Sequence, residues 1–364
     1  MPRALYLHVP FCPKICPYCD FHKMRRGGGL VAAYLERLGG EARALYAEFP
    51  GELDTLYFGG GTPSHLTDEE LSFAVGTLER TWGFPARQET TLEADPATFG
   101  KARLETFKAL GFNRLSVGLQ STQDSVLGFL GRQHTGREGL AAVEAALAAG
   151  FEVSADLITA VPGQDAARDL HALAQTGVPH VSVYNLTVEP NTPFARRGVR
   201  VDEDRELHDY ALADRILSEY GLGRYEVSSH ARPGHEAKHN GVYWSGAHFL
   251  ALGPSAASFV PSPGLSGERR TNPTMRAWLA GRPPEVLPVD PEAFVQDVLM
   301  TGLRTRRGVD LASLSERSGL DVNERYADEL RRLREQGLLE RCGPYLRTTP
   351  SGLLQLNRVV ATFF

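Results

Sequence analysis

The sequence has no long apolar run, no surplus of positive charge and only four cysteines, and each shortage removes a class of protein. No stretch approaches the roughly 20 consecutive apolar residues that a membrane-spanning helix needs, so no transmembrane segment is expected. The opening "MPRALYLHVPFC" is apolar over six residues, is interrupted by His8 and lacks a small-residue cleavage site. It reads as a buried strand rather than a signal peptide. Lys and Arg number 39 against 44 Asp and Glu, a net charge of −5, which gives no general attraction to nucleic acid or acidic lipid. Four cysteines in 364 residues are too few for a disulfide framework, so reduced thiols and a cytoplasmic location are expected. No internal repeat of solenoid period and no low-complexity tail is present.

What is there is a rhythm. Short β-branched or aromatic runs recur at 4–9, 53–58, 89–94, 114–119, 152–158 and 180–186, and stretches of helical periodicity such as 30–49, 102–111 and 139–150 lie between them. Gly111, Gly150 and Gly177 stand where a helix stops before the next strand. Alternating strands and helices predict an α/β fold: six parallel βα units forming a partial (β/α)6 barrel, with chemistry at the C-terminal ends of the strands. After a charged amphipathic segment at 203–221 comes a Gly-, Pro-, Ser- and His-rich region, and Pro283–Pro284 mark a linker. From about 290 two helices with a tight turn and a hairpin-like "YLRTTPSG" resemble a winged helix-turn-helix. Three domains are expected: a barrel with its N-terminal loop at 1–225, an irregular region and linker at 226–284, and a smaller C-terminal winged-helix-like α/β domain at 285–364.

Cys12, Cys16 and Cys19 are spaced C-x3-C-x2-C, whereas Cys342 lies far away and reads as an ordinary thiol. Three thiolates on a four-iron cluster leave one iron with an open position. Structural zinc instead wants a closed set of four, and His22 could supply the fourth ligand. Pro10, Pro13 and Pro17 favour an extended loop able to wrap a cluster, with Tyr18 and Phe21 as its cover.

The motif directly after a first strand resembles the radical S-adenosylmethionine (SAM) superfamily. The resemblance is nearest to its HemN/HemW branch, the oxygen-independent coproporphyrinogen oxidase-like proteins. It runs over the whole chain through "YLHVPFC", "CPYCDF", "GGGTPS", "LEADP", "SVGLQS", "LGRQH", "TVEPNTP", "YEVSSHA" and "HNGVYW". It implies that Cys12, Cys16 and Cys19 hold a 4Fe–4S cluster whose open iron binds SAM, with an electron donor such as flavodoxin or ferredoxin. Tyr6, Gly60 and Glu93 match positions contacting that SAM. Tyr18, Gly61, Thr62, Gln120, Arg132 and Asp156 match positions that contact a second SAM in the coproporphyrinogen dehydrogenases.

Those dehydrogenases extend the motif to C-x3-C-x2-C-x-C, where this chain has Phe21, and they carry a longer N-terminal extension. "HNGVYW" fits the H-N-x-x-Y-W motif of HemW-type heme chaperones, which implies heme binding by His239, Asn240, Tyr243 and Trp244. A neutral imidazole can ligate heme iron, and Tyr and Trp can pack on a macrocycle edge. The expected function is therefore heme binding and transfer to an acceptor protein. The alternative is oxidative decarboxylation of coproporphyrinogen III. One departure stands out: Ala257 replaces a histidine usual in the family, and His230, His235 or His248 are the nearby substitutes.

Two patterns are decoys. "HEAKH" (235–239) fits the zinc-protease H-E-x-x-H, but Pro233-Gly234 and Asn240-Gly241 leave about one helical turn of room. Residues 285–364 carry eleven Arg, no Lys and twelve acidic residues, a net of −1, so a nucleic-acid reader is not expected. That domain is instead expected to act as a lid over the barrel mouth or a partner-docking module.

Overall fold

The computed structural model describes residues 1–83 and 88–364. Six strands, β1 (Ala4–Val9), β2 (Thr55–Gly60), β3 (Glu89–Ala94), β4 (Arg114–Gln120), β5 (Glu152–Thr159) and β6 (His180–Asn185), lie side by side in chain order and all parallel. Helices cross between them, among them Leu30–Glu48, Asp68–Trp82, Lys101–Ala109 and Gly136–Ala148. Their starts are written locally: Thr67 with Glu70 and Thr135 with Glu138 form reciprocal capping boxes. Their stops at Gly111, Gly150 and Gly177 have φ of 86°, 76° and 81°, where a Cβ would be strained.

Strand alternation sorts the side chains. Leu5, Leu7, Leu56, Phe58, Leu92, Leu115, Val117, Val153, Ala155 and Val181 point outward under the helices and are buried in the main core. The alternate residues face inward and are largely polar. This polar inner face is what turns a packed sheet into a lined cavity.

Residues 226–284 hold more regular structure than their composition suggests. With Gly223–Arg224 as β7, the segment β8 (Ser229–Ala231) runs antiparallel to β6, and β9 (Leu250–Leu252) joins the opposite edge, parallel to β1. Ala257–Val260, Gly267–Thr271 and Glu285–Val289 form a separate antiparallel sheet, so the stretch after Pro283–Pro284 is a paired strand. The C-terminal part has the expected winged-helix elements, with one shift of register. The hairpin is Leu339–Cys342 with Tyr345–Thr348, and Thr349 caps a helix that begins at Pro350.

The C-terminal domain does not lie over the barrel mouth. The Thr301 hydroxyl donates to Trp244 O, Arg317 donates to Ser245 O and Gly246 O, and the Arg306 N–H donates to Tyr225 O. These partners adjoin the short helix Lys238–Trp244, which packs on β2 and β3 at Thr55 and Glu89, the N-terminal ends of those strands. The domain therefore sits at the end opposite the cysteine loop.

Candidate functional site

A cavity of about 670 Å³ runs down the barrel. Its rim carries Cys12, Cys16 and Cys19, and its walls include Gly60, Gly61, Thr62, Glu93, Gln120, Arg132 and Asp156. The matched residues, far apart in sequence, thus share one space. Tyr6 is the exception: it stands behind the wall, stacked on Tyr57 with centroids 5.9 Å apart and its hydroxyl 3.1 Å from His8 Nδ1.

The cysteine loop wraps the mouth between short paired strands at Phe11–Cys12 and Met24–Arg25. Cys12 is buried and Cys16 and Cys19 are half-buried. Burial pushes the Cys12 thiol up to about 11, opposed by the Thr62 hydroxyl. Gly61 lies against the loop so closely that a Cβ would stand 2.7 Å from Pro10 C and 3.0 Å from Cys12 Sγ. The Arg132 guanidinium donates to Cys16 Sγ at 3.7 Å and to Asp95 at 2.7 Å. In a four-iron cluster each thiolate takes a different iron, so thiols spread round one rim suit it, as does the glycine-lined space beside them. Among the described residues, no three His, Cys, Asp or Glu side chains converge on a single metal-ion position. His22, the zinc ligand considered above, is engaged elsewhere: its Nε2 accepts the Met275 N–H at 3.4 Å. The residues present fit a cluster held by Cys12, Cys16 and Cys19, which would supply one-electron chemistry at the mouth. Tyr18 packs toward Phe194 beside it, whereas Phe21 is 72% exposed and covers little.

Below the rim Glu93 is fully engaged. Its Oε1 accepts the Tyr57 hydroxyl at 2.9 Å and its Oε2 accepts the Gly60 N–H at 2.9 Å. Burial nevertheless pushes its carboxyl up to about 7, and Asp156 nearby adds to the rise. Asp156, which accepts the Ser116 hydroxyl at 3.2 Å, is pushed up to about 6 by burial. Deeper still, Arg114 lies 3.5 Å from Glu89 and donates to Ser154 Oγ at 2.6 Å. Tyr57, Arg114, Ser116, Ser154, His180 and Ser182 were not singled out from sequence. Their signal was the polar phase of the strand alternation, as in "RLSVGLQ", where every second residue faces the cavity.

The helix Lys238–Trp244 closes the base. The buried Glu89 carboxylate accepts the N–H groups of Lys238 and His239 at 3.0 and 2.9 Å, a cap supplied from another element. Asn240 reaches the cavity. His239 does not; it is 1% exposed, with Nδ1 at 2.9 Å from the Thr55 hydroxyl and Nε2 at 2.7 Å from the Tyr243 hydroxyl. Burial pulls it down to about 3, so the ring is neutral, but both nitrogens are already taken. Trp244 is half-buried, and its buried Nε1 has no hydrogen-bond partner. Because the helix begins at Lys238, His235 lies outside it and pairs with Glu152 at 2.8 Å. The zinc-protease geometry is absent. Cys342 is exposed in the C-terminal hairpin, away from the cavity.

A partial barrel whose mouth carries three thiols is the architecture of a radical SAM protein. The radical SAM superfamily model matches residues 6–176, and that of the HemN C-terminal domain matches residues 289–354. Among curated proteins, the heme chaperone HemW of Synechocystis sp. is 32% identical, covering 100% of this chain and 97% of that one. The heme chaperone HemW of Mycobacterium tuberculosis is 35% identical, covering 99% and 94%. The chain belongs to the HemW family within the radical SAM superfamily. Among solved structures, coproporphyrinogen III oxidase (HemN) from Escherichia coli superposes with a TM-score of 0.85 at 22% identity, covering 100% of this chain and 90% of that one. That likeness concerns the fold.

Proposed function

We propose that this protein is a heme chaperone: it binds heme and hands it to an acceptor protein, and it carries a 4Fe–4S cluster with SAM on the open iron. Its full-length kinship with heme chaperones carries this reading. Cys12, Cys16 and Cys19 hold the cluster. Gly60 and Glu93, with Tyr6 behind them, orient the SAM that the cluster binds. Tyr18, Gly61, Thr62, Gln120, Arg132 and Asp156 shape the rest of the cavity, which has room for a further small polar molecule. The segment with His239, Asn240, Tyr243 and Trp244 forms one wall of the heme seat. The reductant is a small electron carrier such as flavodoxin or ferredoxin, docking at the cysteine loop, and the work is done in the cytoplasm. Among the described residues no helix is long and apolar enough to cross a membrane.

The test is anaerobic reconstitution with iron and sulfide. Parallel incubations follow, one with heme and one with coproporphyrinogen, SAM and reductant. Stoichiometric heme uptake and onward transfer without protoporphyrinogen is the expected result. Repeated turnover to protoporphyrinogen with weak heme uptake would replace this reading with the dehydrogenase.

A further inference from the structure

A second cavity, of about 550 Å³, opens at the base of the barrel on the other side of the Lys238–Trp244 helix. Arg3 and Thr55 bound it from the strands, Val242 from the helix, His248 from the loop that follows, and Phe294 and Arg317 from the C-terminal domain. Its size is within the range that holds cofactor-sized ligands. We infer that this cavity is the heme seat of the chain, with His248 as the iron ligand and Arg317 as the partner of a propionate, while His239 holds the helix that forms its wall. The inference rests on the heme-chaperone reading above and assigns the place.

Three observations support it. The first is the state of His239. Ligating iron would require it to leave Thr55 or Tyr243 and unstack from Tyr57, whose ring lies 5.1 Å away at 29°. The second is the state of His248. Its Nε2 lies 3.0 Å from the carbonyl oxygen of Ser266, which can only accept, so Nε2 carries the proton. That leaves Nδ1 unprotonated, and among the described residues it has no hydrogen-bond partner. An imidazole that gives one N–H to a backbone carbonyl and keeps the other nitrogen open is the arrangement metal-binding histidines use. The remaining histidines of this region are occupied or sealed: His235 pairs with Glu152, and His230 is 0% exposed.

The third is Arg317. Among the described residues its guanidinium meets no carboxylate. It donates to the carbonyls of Ser245 and Gly246 and lies over the Phe294 ring, 4.9 Å from the centroid. Arg3, by contrast, is already paired with Asp54. A cation without an acidic partner beside an aromatic wall and an open imidazole nitrogen matches an apolar macrocycle that carries iron and carboxylates.

The experiment is hemin titration of the full-length, cluster-loaded protein, read by Soret absorption and by electron paramagnetic resonance of the ferric iron. Uptake by the unmutated protein tests whether the chain carries heme; no uptake overturns both the reading and the assigned place. Given uptake, His248→Ala should abolish the imidazole-ligated spectrum and weaken binding at least about tenfold. Arg317→Gln should weaken binding about tenfold with the spectrum kept. His239→Ala should weaken binding but keep the ligand spectrum. An unchanged spectrum in His248→Ala together with its loss in His239→Ala would overturn the assignment and leave the chaperone reading standing.

Discussion

The Tyr57 ring stacks on the His239 imidazole while its hydroxyl donates to Glu93 at 2.9 Å. One side chain thus touches both the helix at the barrel base and the carboxylate near its rim. Tyr57→Phe keeps the stacking surface and removes only the donor to a charged acceptor, an interaction worth about 1.5–3 kcal/mol. SAM binding, measured by anaerobic calorimetry on the reconstituted protein, should weaken at least tenfold in this variant, with heme uptake preserved. Equal SAM affinity in both proteins would remove Glu93 orientation from the account.

The raised carboxyls give the fold a pH signature. Glu93 goes from its ordinary 4.5 to about 7 in the folded chain, facing Tyr57 and Asp156, with Tyr6, Tyr184 and Tyr243 near. The folded state therefore binds a proton that the unfolded state has already lost, and stability falls as pH rises from about 4.5 toward 7. Asp156, moved from 3.8 to about 6, acts in the same direction. Urea midpoints of the metal-free chain at pH 5 and pH 8 should show a loss for the natural sequence exceeding that of Glu93→Gln by at least about 1 kcal/mol. Parallel losses in the two proteins would contradict the shift.

Iron content separates the four cysteines. After anaerobic reconstitution, Cys12→Ala, Cys16→Ala and Cys19→Ala should each lose the cluster's visible absorption, while Cys342→Ala retains about four irons per chain. Gly61→Ala belongs with the first group, because its Cβ meets the Pro10 backbone and the Cys12 sulfur. Full cluster loading in Gly61→Ala would show that the loop yields more easily than its packing suggests.

Arg132 is paired with Asp95 at 2.7 Å with both side chains mostly covered, and it also donates to Cys16 Sγ. Arg132→Leu should cost about 2 kcal/mol, between the values for exposed and fully buried pairs. Losing an N–H donor at a ligating sulfur should also move the cluster potential negative. Redox titration followed by electron paramagnetic resonance reads the second effect independently of stability, and an unmoved potential would count against any contact between Arg132 and the cluster-bound thiolate.

The parallel strands and helices were legible because alternation and helix stops are written locally; Gly111 and Gly150 are read as easily in sequence as in space. The cysteine rim was legible because its spacing is compact. Two things were hidden. Ser116, Ser154 and Ser182 are ordinary strand residues until neighbouring registers bring them together, and Arg114 resembles any strand-end cation until Glu89 is placed beside it. The fate of His239 was hidden for the same reason. The motif names a histidine, but only tertiary contacts with Thr55, Tyr57 and Tyr243 decide which way its nitrogens face. The short strand Leu250–Leu252 was masked by the Gly- and Pro-rich sequence that follows it.

The docking of the C-terminal domain at the base, rather than over the cysteine loop, gives the molecule two working ends. A protein that meets the loop at Lys14 and Phe21 and one that meets the winged-helix face approach from opposite poles. Neither has to leave before the other arrives, so delivery of electrons at one pole and hand-over at the other can proceed within a single three-protein assembly.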